Sequence, residues 1–546
     1  MNRSYFKLSF FPAVLLMAGC GSTSLVSTPI ENIDSVPLKV SELTEDEQKN
    51  WGHADLLADT IPGMSVDKAY GEIIKNQKGK TVVVAVLDSG MDLDHEDLEP
   101  VLWTNKGEIP GNGKDDDGNG YVDDVHGYNF IGDSYNEQLE YVRMLRLDQG
   151  SAAQRAKARL LLDGEYPQAL ANKQQYEQIY QVVGNADQAV QKELGKETYT
   201  KEDLMSIKPQ DEQMQQSVAI LSQMFSYGEG IPKVLADLTE GINHFTEQVN
   251  YNLNKDFDGR APVGDDPYDI TDTGYGNGDP NNRLESESHG THVAGIIAGV
   301  RSNGLGANGV ANNVEIMSIR AVPNGDEYDK DIALGIRYAV DNGASIINCS
   351  FGKSFSPNAE WVYQAIEYAA SKDVLIVHAA GNDGKDLDDP ENSNYPNDSR
   401  GEGEFADNLI TVGALAQTYG SKMVAGFSNY GKKNVDVFAP GAGIYSAMPG
   451  DQYKFQGGTS MAAPATAGVA ALIRSHYPKL TAPQVKHIIM ESGLSSKASV
   501  ILAGDQAQSR PFDQISKSGK MVNAYNALIM ADQVSQGKVN LKGSTK

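Results

Sequence analysis

The sequence predicts an α/β fold with a mostly parallel sheet, helices on both faces and a helical insertion. Short continuous apolar runs are typical of strands that are buried on both faces. These runs lie at 82–87, 314–319, 345–349, 374–380 and 409–414. Stretches with apolar residues three and four apart predict helices between the strands, at 331–340 and 361–370. Strands that alternate with helices imply a parallel sheet, whose functional residues lie beyond the carboxyl ends of the strands.

The composition excludes several classes of protein. The chain has 546 residues, 40% of them hydrophobic, which is enough for two or three domains. Its 73 acidic residues against 46 lysines and arginines give a net charge of −27. This balance argues against a nucleic-acid partner, which requires a basic surface, and it suits carboxylate clusters for hard cations. Two cysteines cannot form a disulfide framework or a four-thiolate zinc site.

The first 19 residues predict a signal peptide with a short basic start. Its apolar run, 8–17, is too short to span a bilayer. Residues 17–20 read Met-Ala-Gly-Cys, which resembles a bacterial lipoprotein box. The resemblance implies cleavage before Cys20 and acylation of that cysteine, and Gly21 after it resembles export to the outer membrane. The alternative is an ordinary secretory signal. No later run approaches 18 apolar residues, so we expect no further membrane span.

The rest of the chain divides into segments of different character. We expect a tether and N-terminal segment at 20–75, a first α/β part at 76–136, a helical insertion at 137–252, a second α/β part at 253–493, and a C-terminal segment at 494–546 that packs on the α/β domain. The insertion is rich in glutamine, yet its apolar residues recur at helical spacing, as at Met214, Val218, Leu221 and Phe225. We expect it to contact a partner or to regulate access to the site.

Three segments carry the residue types of nucleophilic catalysis. Asp88 directly follows the first predicted strand, His289 opens a helix of small residues, and Ser460 precedes the apolar helix 465–474. A serine hydroxyl becomes a nucleophile when an imidazole accepts its proton, and a buried carboxylate orients that imidazole. A serine at a helix start also places backbone N–H groups near a developing oxyanion.

This Asp, His, Ser order resembles that of the subtilisin-like serine peptidases, over 82–128 and about 276–493. The resemblance implies that Asp88 orients the imidazole, that His289 is the general base and then the acid, and that Ser460 is the nucleophile. The segment 379–382, Ala-Ala-Gly-Asn, resembles the family's oxyanion segment. It implies that the amide of Asn382 donates to the oxyanion together with the backbone N–H of Ser460.

Substrate-binding residues follow from the same resemblance. Ser350, Phe351 and Gly352 resemble the edge on which an extended peptide pairs, and Ala380 and Gly381 adjoin it in the oxyanion segment. Backbone pairing implies protein or peptide substrates and broad endopeptidase specificity. The alternative for this edge is a simple turn between a strand and a loop.

Each catalytic candidate also has a structural interpretation. Taken alone, Asp88 is a strand-end turn residue, Asn382 a turn former and Ser460 a helix cap. A catalytically inactive envelope scaffold and an esterase are the rival functions. The complete catalytic set favours a lipid-anchored serine endopeptidase. We interpret His292 as structural and Cys349, inside an apolar strand, as a buried inert thiol.

Two acidic loops bracket the insertion and resemble calcium loops. The candidate ligands of the first loop alternate along the chain: Asp115, Asp117, Asn119, the Tyr121 carbonyl and Asp123. The candidates of the second loop are Asn254, Asp256, Asp258 and, at its twelfth position, Asp265. His126 stands where the first loop would have its bidentate glutamate. We expect structural calcium and no organic cofactor; the alternative is two solvated turns.

Overall fold

A computed structural model of the protein describes residues 25, 27–227, 230–284, 286–401 and 403–541. The predicted signal peptide and Cys20 lie outside the described residues. The α/β fold class is confirmed, with nine strands in a central sheet that is parallel except at one edge. Each predicted apolar run forms a strand, and no strand end differs from the prediction by more than one residue.

The strands are β1 Val82–Asp88, β2 Gly127–Asn129, β3 Val314–Arg320, β4 Ile346–Cys349, β5 Leu375–Ala379, β6 Leu409–Leu415, β7 Val437–Pro440, β8 Ile444–Met448, β9 Gln452–Gln456, β10 Leu494–Ser495, β11 Ser499–Leu502, β12 Asp505–Pro511 and β13 Lys520–Met521. The α-helices are α1 Glu45–Asn50, α2 Leu56–Asp59, α3 Val66–Ala69, α4 Glu140–Arg146, α5 Ala152–Leu194, α6 Lys201–Ser206, α7 Glu212–Met224, α8 Ile231–Glu247, α9 His289–Ala298, α10 Asp329–Asp341, α11 Ala359–Ser371, α12 Thr459–His476, α13 Ala482–Ser492 and α14 Ala524–Ser535. Short helical turns lie at Ile33–Ser35, Trp51–His53, Tyr70–Ile74, Glu99–Val101, Phe225–Tyr227, Gln248–Asn252 and Phe512–Gln514.

The central sheet has the order β10-β13-β7-β6-β5-β4-β1-β3-β2. Strand β1 pairs in parallel with β3 and with β4, so its carboxyl end lies in the middle of the sheet. Helices α9, α12, α13 and α14 cover one face of the sheet, and α10 and α11 cover the other. Because both faces are covered, the central strands are apolar along their length.

The segment 137–252 contains five α-helices, α4 to α8. Its longest helix, α5, has 43 residues and is about 65 Å long. It begins at a capping box, in which the Ser151 side chain accepts from the Gln154 N–H and the Gln154 side chain accepts from the Ser151 N–H. It ends at Gly195, which has φ +62°. Apolar residues of α5 to α8 form a separate small core away from the sheet, around Val190 and Leu221.

The prediction of a tether is wrong at Ile30 and Ile33, which are packed in the fold. Ile30, Ile33 and Trp51 are buried in the main core, where they pack with residues of the sheet and of its helices. The Ile30 N–H donates to Asn526 Oδ1 in α14, and the Trp51 indole donates to the carbonyl of Gly443. Burial of these apolar side chains stabilises the packed segment relative to a linker exposed to solvent. Across the described ranges, no helix combines the length and apolarity required to cross a bilayer.

Candidate active site

The predicted catalytic residues meet at the carboxyl ends of the central strands. Asp88 is the last residue of β1, and Asn382 follows β5 by three positions. His289 opens α9, and Ser460 is the second residue of α12. All four line one cleft with a volume of about 630 Å³. This arrangement follows from the parallel sheet, whose strands deliver their loops to one edge.

Asp88 and His289 form a direct pair. Asp88 Oδ1 lies 2.7 Å from Nδ1 of His289 and also accepts the Ser89 N–H at 2.8 Å. The Asp88 side chain is buried, whereas the His289 ring is 37% exposed to the cleft. Burial of the ring lowers the pKa of His289, but the charge and hydrogen bond of Asp88 together outweigh it, so the pKa is raised above 6.5. The contact occupies Nδ1, and no hydrogen bond within the described part of the chain involves Nε2.

Ser460 lines the same cleft as this pair, and its hydroxyl is hydrogen-bonded to a different residue, Ser350. Ser460 Oγ donates to the carbonyl of Ser350 at 2.9 Å, and the Ser350 hydroxyl donates back to the carbonyl of Ser460 at 2.8 Å. Among the hydrogen bonds of the described residues, none joins Ser460 to His289. The structure therefore brings the predicted nucleophile and the predicted base into one cleft without a direct hydrogen bond between them.

Asn382 is oriented by a residue that the sequence analysis missed. Its Oδ1 accepts from the Thr459 N–H at 2.8 Å and from the Thr459 hydroxyl at 2.9 Å. The Thr459 hydroxyl in turn accepts from the Gly381 N–H at 3.0 Å. With its oxygen held by two donors, the amide presents Nδ2 toward Gly458 and the start of α12. The Gly-Thr-Ser sequence could have indicated this residue, since it places a hydroxyl next to the predicted nucleophile.

The predicted substrate edge lies along one wall of the cleft. Ser350, Phe351 and Gly352 line it, and the carbonyl of Phe351 faces Nε2 of the buried His378 at 2.8 Å. Burial lowers the pKa of His378 to about 4, so the ring is neutral and donates to that carbonyl. A Cβ at Gly352 would lie 2.4 Å from Oδ1 of Asn394, so a side chain at this position would displace that amide.

The assignment of Ala380 to substrate binding is wrong. Ala380 is fully buried, its N–H donates to the carbonyl of Val412, and its carbonyl accepts from the side chain of Asn429. Both backbone groups are thus used inside the protein and cannot pair with a peptide. Gly381 does line the cleft, with φ +96°, a conformation that favours glycine.

Two further residues have the structural character expected for them. His292 is buried, and its Nε2 lies 3.1 Å from the carbonyls of both Ile444 and Lys454. Burial lowers its pKa to about 4, so this ring is neutral and fixes the β8–β9 hairpin. Cys349 is a buried free thiol in β4, and burial raises its pKa far above the ordinary value.

The first acidic loop brings together three carboxylates, one of which the sequence analysis missed. Ligand atoms of Glu108, Asp115 and Asp117 lie within 4.8 Å of one another. Glu108 is only 8% exposed, and its Oε2 is buried without a hydrogen-bond partner among the described residues. An unpartnered buried carboxylate oxygen fits a divalent cation, which prefers oxygen ligands. Asn119 Oδ1 accepts the N–H of Tyr121, so it is used within the loop.

Asp123 does not belong to this cluster. Its carboxylate accepts from the N–H groups of Asn112 and Gly113, at 3.1 and 2.8 Å. The neighbouring residue, Asp124, is the buried one, and it accepts from the side chains of Asn105 and Asn119. The structure therefore places Asp123 outside the cluster formed by Glu108, Asp115 and Asp117.

The second loop forms no carboxylate cluster in the described part of the chain. Asp265 lies between two cations, with its oxygens 2.7 Å from Arg260 Nε and 2.7 Å from Lys330 Nζ. Asp258 lies 3.3 Å from Arg146, and Asn254 Oδ1 accepts the Asp256 N–H. The prediction of Asp265 as a calcium ligand is wrong, since Arg260 and Lys330 already neutralise it.

Comparisons with known proteins agree with this geometry. The model of the subtilase family matches residues 79–514. The thermophilic serine proteinase of Bacillus sp. strain AK1 is 40% identical over 40% of this chain and 48% of its own length. Subtilisin DY of Bacillus licheniformis is 37% identical over 37% of this chain and 69% of its length. The cell wall-associated protease of Bacillus subtilis strain 168 is 38% identical over 39% of this chain and 22% of its length. The chain thus spans about half the length of the first of these relatives.

Proposed function

Because this chain belongs to the subtilase family, we propose that it is a serine endopeptidase that hydrolyses proteins or peptides through Asp88, His289 and Ser460. The observation that carries the proposal is the 2.7 Å contact between Asp88 and His289 in the cleft that also holds Ser460. A buried carboxylate behind a partly exposed imidazole has the geometry required to activate a nearby hydroxyl.

Each residue has a separate task in the proposed reaction. The Ser460 oxygen attacks the scissile carbonyl while His289 Nε2 accepts its proton, and Asp88 stabilises the imidazolium that results. The Asn382 amide and the Ser460 N–H donate to the oxyanion of the tetrahedral intermediate. His289 then gives the proton to the leaving amine, and water attacks the acyl-enzyme by the same route in reverse.

Replacement of Ser460 by alanine tests this proposal. We expect Ser460→Ala to fold but to lose both peptide hydrolysis and labelling by a fluorophosphonate probe. The matched control is Ser393→Ala, because Ser393 is an exposed serine that lines the same cleft. Labelling of the Ser460 variant would overturn the triad. A wild-type protein that is not labelled would indicate an inactive scaffold, and ester hydrolysis without peptide hydrolysis would indicate an esterase.

We also propose that acylated Cys20 anchors the protein at the cell envelope, at the bacterial outer membrane. The support is the short basic and apolar start followed by Met-Ala-Gly-Cys. One relative is named as a cell wall-associated protease. Replacement Cys20→Ser should move the protein from the membrane fraction to the soluble fraction, with Cys349→Ser as the control. An unchanged distribution would contradict the anchor.

Finally, we propose structural calcium at Glu108, Asp115 and Asp117. The support is the proximity of these carboxylates and the unpartnered buried oxygen of Glu108. A bound cation would neutralise their mutual repulsion and fix the loop. This proposal keeps Asp115 and Asp117 from the sequence analysis and adds Glu108.

A further inference from the structure

The insertion forms one end of the catalytic cleft. The segment from Ser350 to Phe355 forms one wall of the cleft, and the segment 322–327 forms another. Beyond these walls, five side chains of the insertion line the cleft: Leu139, Tyr141, Lys157, Leu161 and Glu165. The substrate cleft and the insertion therefore share a continuous surface.

Helix α4 fixes the insertion to both walls. Arg143 donates to the carbonyl of Asp326 at 2.6 Å and to that of Glu327 at 3.0 Å. Lys353 donates to Glu140 and to the carbonyl of Glu327, both at 2.7 Å. Arg143, Glu140 and Lys353 are all buried, so a displacement of α4 would leave buried charges unpaired. The insertion therefore has a defined position relative to the cleft.

The surface at this end of the cleft combines apolar side chains with the Glu165 carboxylate, to which the Tyr141 hydroxyl donates at 2.5 Å. Phe355 is 5% exposed, and its ring lies 6.2 Å from that of Tyr141 between centroids. Leu139 and Leu161 are half-buried, so each leaves part of its side chain open to the cleft. Lys157 extends from α5 across to Glu391, with Nζ 2.6 Å from the carbonyl and 3.1 Å from the carboxylate. This polar contact borders the apolar surface on the side of the loop that follows Asn382.

An extended substrate can reach this surface. Ser350 contacts the nucleophile, and Phe355 packs on the insertion five residues further along the chain. Five residues span at most about 17 Å, so a peptide bound along the wall arrives at the insertion within about five residues of the scissile bond. We propose that Leu139, Tyr141, Leu161 and Phe355 form a subsite for an apolar substrate side chain at that distance. The inference rests on the proposed peptidase function and adds a source of side-chain selectivity to it.

The test compares two adjacent leucines of α5. Leu161 lines the cleft, whereas Leu160 is 75% exposed and lies outside it, so Leu161→Asp and Leu160→Asp form a matched pair. Cleavage sites in a peptide mixture are mapped for the wild type and for each variant. The wild type should favour apolar residues at one position within about five residues of the cut. Only Leu161→Asp should lose that preference, with kcat/KM falling at least about tenfold for such peptides.

Two controls keep the outcomes distinct. Hydrolysis of a small activated ester, which is too short to reach the insertion, should be equal in all three proteins. If the wild type hydrolyses neither ester nor peptide, the proposed function fails. If it is active and the two aspartate variants give the same cleavage profile, the subsite is wrong. Should Leu161→Asp unfold, Leu161→Ala replaces it, with Leu160→Ala as its control and the same profile as the deciding measurement.

Discussion

Nδ1 of His289 lies 2.7 Å from Oδ1 of Asp88, although 201 positions separate the two residues and the five helices of the insertion fall between them. Asp88 ends a central strand, whereas His289 starts a helix on one face of the sheet. The α/β domain therefore brings the two residues together although the insertion lies between them in the sequence. The insertion adds to the cleft at a distance from the reacting groups.

The first prediction concerns the pH dependence of hydrolysis. The general base must be neutral, so activity should rise as the pH increases through the pKa of His289. Burial lowers that pKa and Asp88 raises it to a larger extent. In Asp88→Asn only the effect of burial remains, so the pKa of His289 should fall. The acid limb of the pH profile should therefore move to lower pH. The rate should also fall by about 10⁴, as in the chymotrypsin-type triad.

This prediction is measured as kcat/KM against pH with an activated ester. The control is Asp94→Asn, which removes an exposed carboxylate from the same loop and should leave the limb in place. A limb that stays fixed in Asp88→Asn would show that His289 does not control the rate.

The second prediction concerns Thr459 as a positioning residue. Its hydroxyl donates to Asn382 Oδ1 and accepts from Gly381, so it orients the amide without contacting substrate in our proposal. One hydrogen bond contributes about 1 kcal/mol, so Thr459→Val should lower kcat roughly fivefold to tenfold with little change in KM. Asn382→Ala should lower kcat by about 10²–10³, the range known for this donor in subtilisin.

The hydroxyl itself is tested by Thr459→Ser, which should restore kcat because it keeps the donor. Equal losses in the serine and valine variants would assign Thr459 a packing role only. Melting temperatures of the three proteins separate an effect on stability from an effect on the amide.

The catalytic residues could be predicted from sequence because each lies in a short local pattern at the end of a predicted strand or helix. The remaining features depend on partners far away in the chain. Asp265 is neutralised by Lys330, 65 positions later, and Arg143 binds a carbonyl 183 positions away. Ala380 is buried, and its carbonyl accepts a hydrogen bond from the side chain of Asn429, 49 positions later. Local spacing carries no information about such contacts, so Glu108 as a proposed ligand and the proposed subsite could be found only from the structure.

The third prediction concerns Lys486, a fully buried ammonium surrounded by carboxylates. Its Nζ lies 3.2 Å from Glu404 and 3.7 Å from Asp398, whose pKa burial raises to about 7. Replacement Lys486→Met leaves these charges without their partner and should lower the free energy of unfolding by about 3–5 kcal/mol at pH 8. An exposed lysine, Lys497, serves as the control, and Lys497→Met should leave the melting temperature unchanged.

The pH dependence of that loss has a defined sign. A carboxyl whose pKa is raised from 3.8 to about 7 by folding costs stability in its ionised form. This cost develops as the pH rises from about 4 to 7 and is complete above 7. Without Lys486, ionised Asp398 destabilises the folded protein more strongly. The melting temperatures of variant and wild type should therefore differ less at pH 5, where Asp398 is protonated, than at pH 8. A difference that is independent of pH would contradict the role assigned to Asp398.

The last prediction concerns calcium at the first acidic loop. Backbone N–H groups, foremost that of Gly120, lower the pKa of Asp115, which keeps this carboxylate charged next to Glu108 and Asp117. In a chain with a net charge of −27, removal of a cation from this cluster restores its internal repulsion. A ligand that binds only the folded form stabilises it by about 2.7 kcal/mol at a hundredfold excess over Kd. Chelation should therefore lower the melting temperature and increase self-cleavage within 137–252.

The variants assign this effect to individual residues. Glu108→Gln, and Asp115→Asn combined with Asp117→Asn, should each lower the melting temperature in calcium and weaken the response to chelator, because they remove ligand charge. Asp256→Asn changes an exposed carboxylate of the second loop and should respond to chelator as the wild type does. Self-cleavage sites are mapped by mass spectrometry in the same samples. If the wild type melts at one temperature in chelator and in millimolar calcium, the first loop is a solvated turn and Glu108 has no cation to bind.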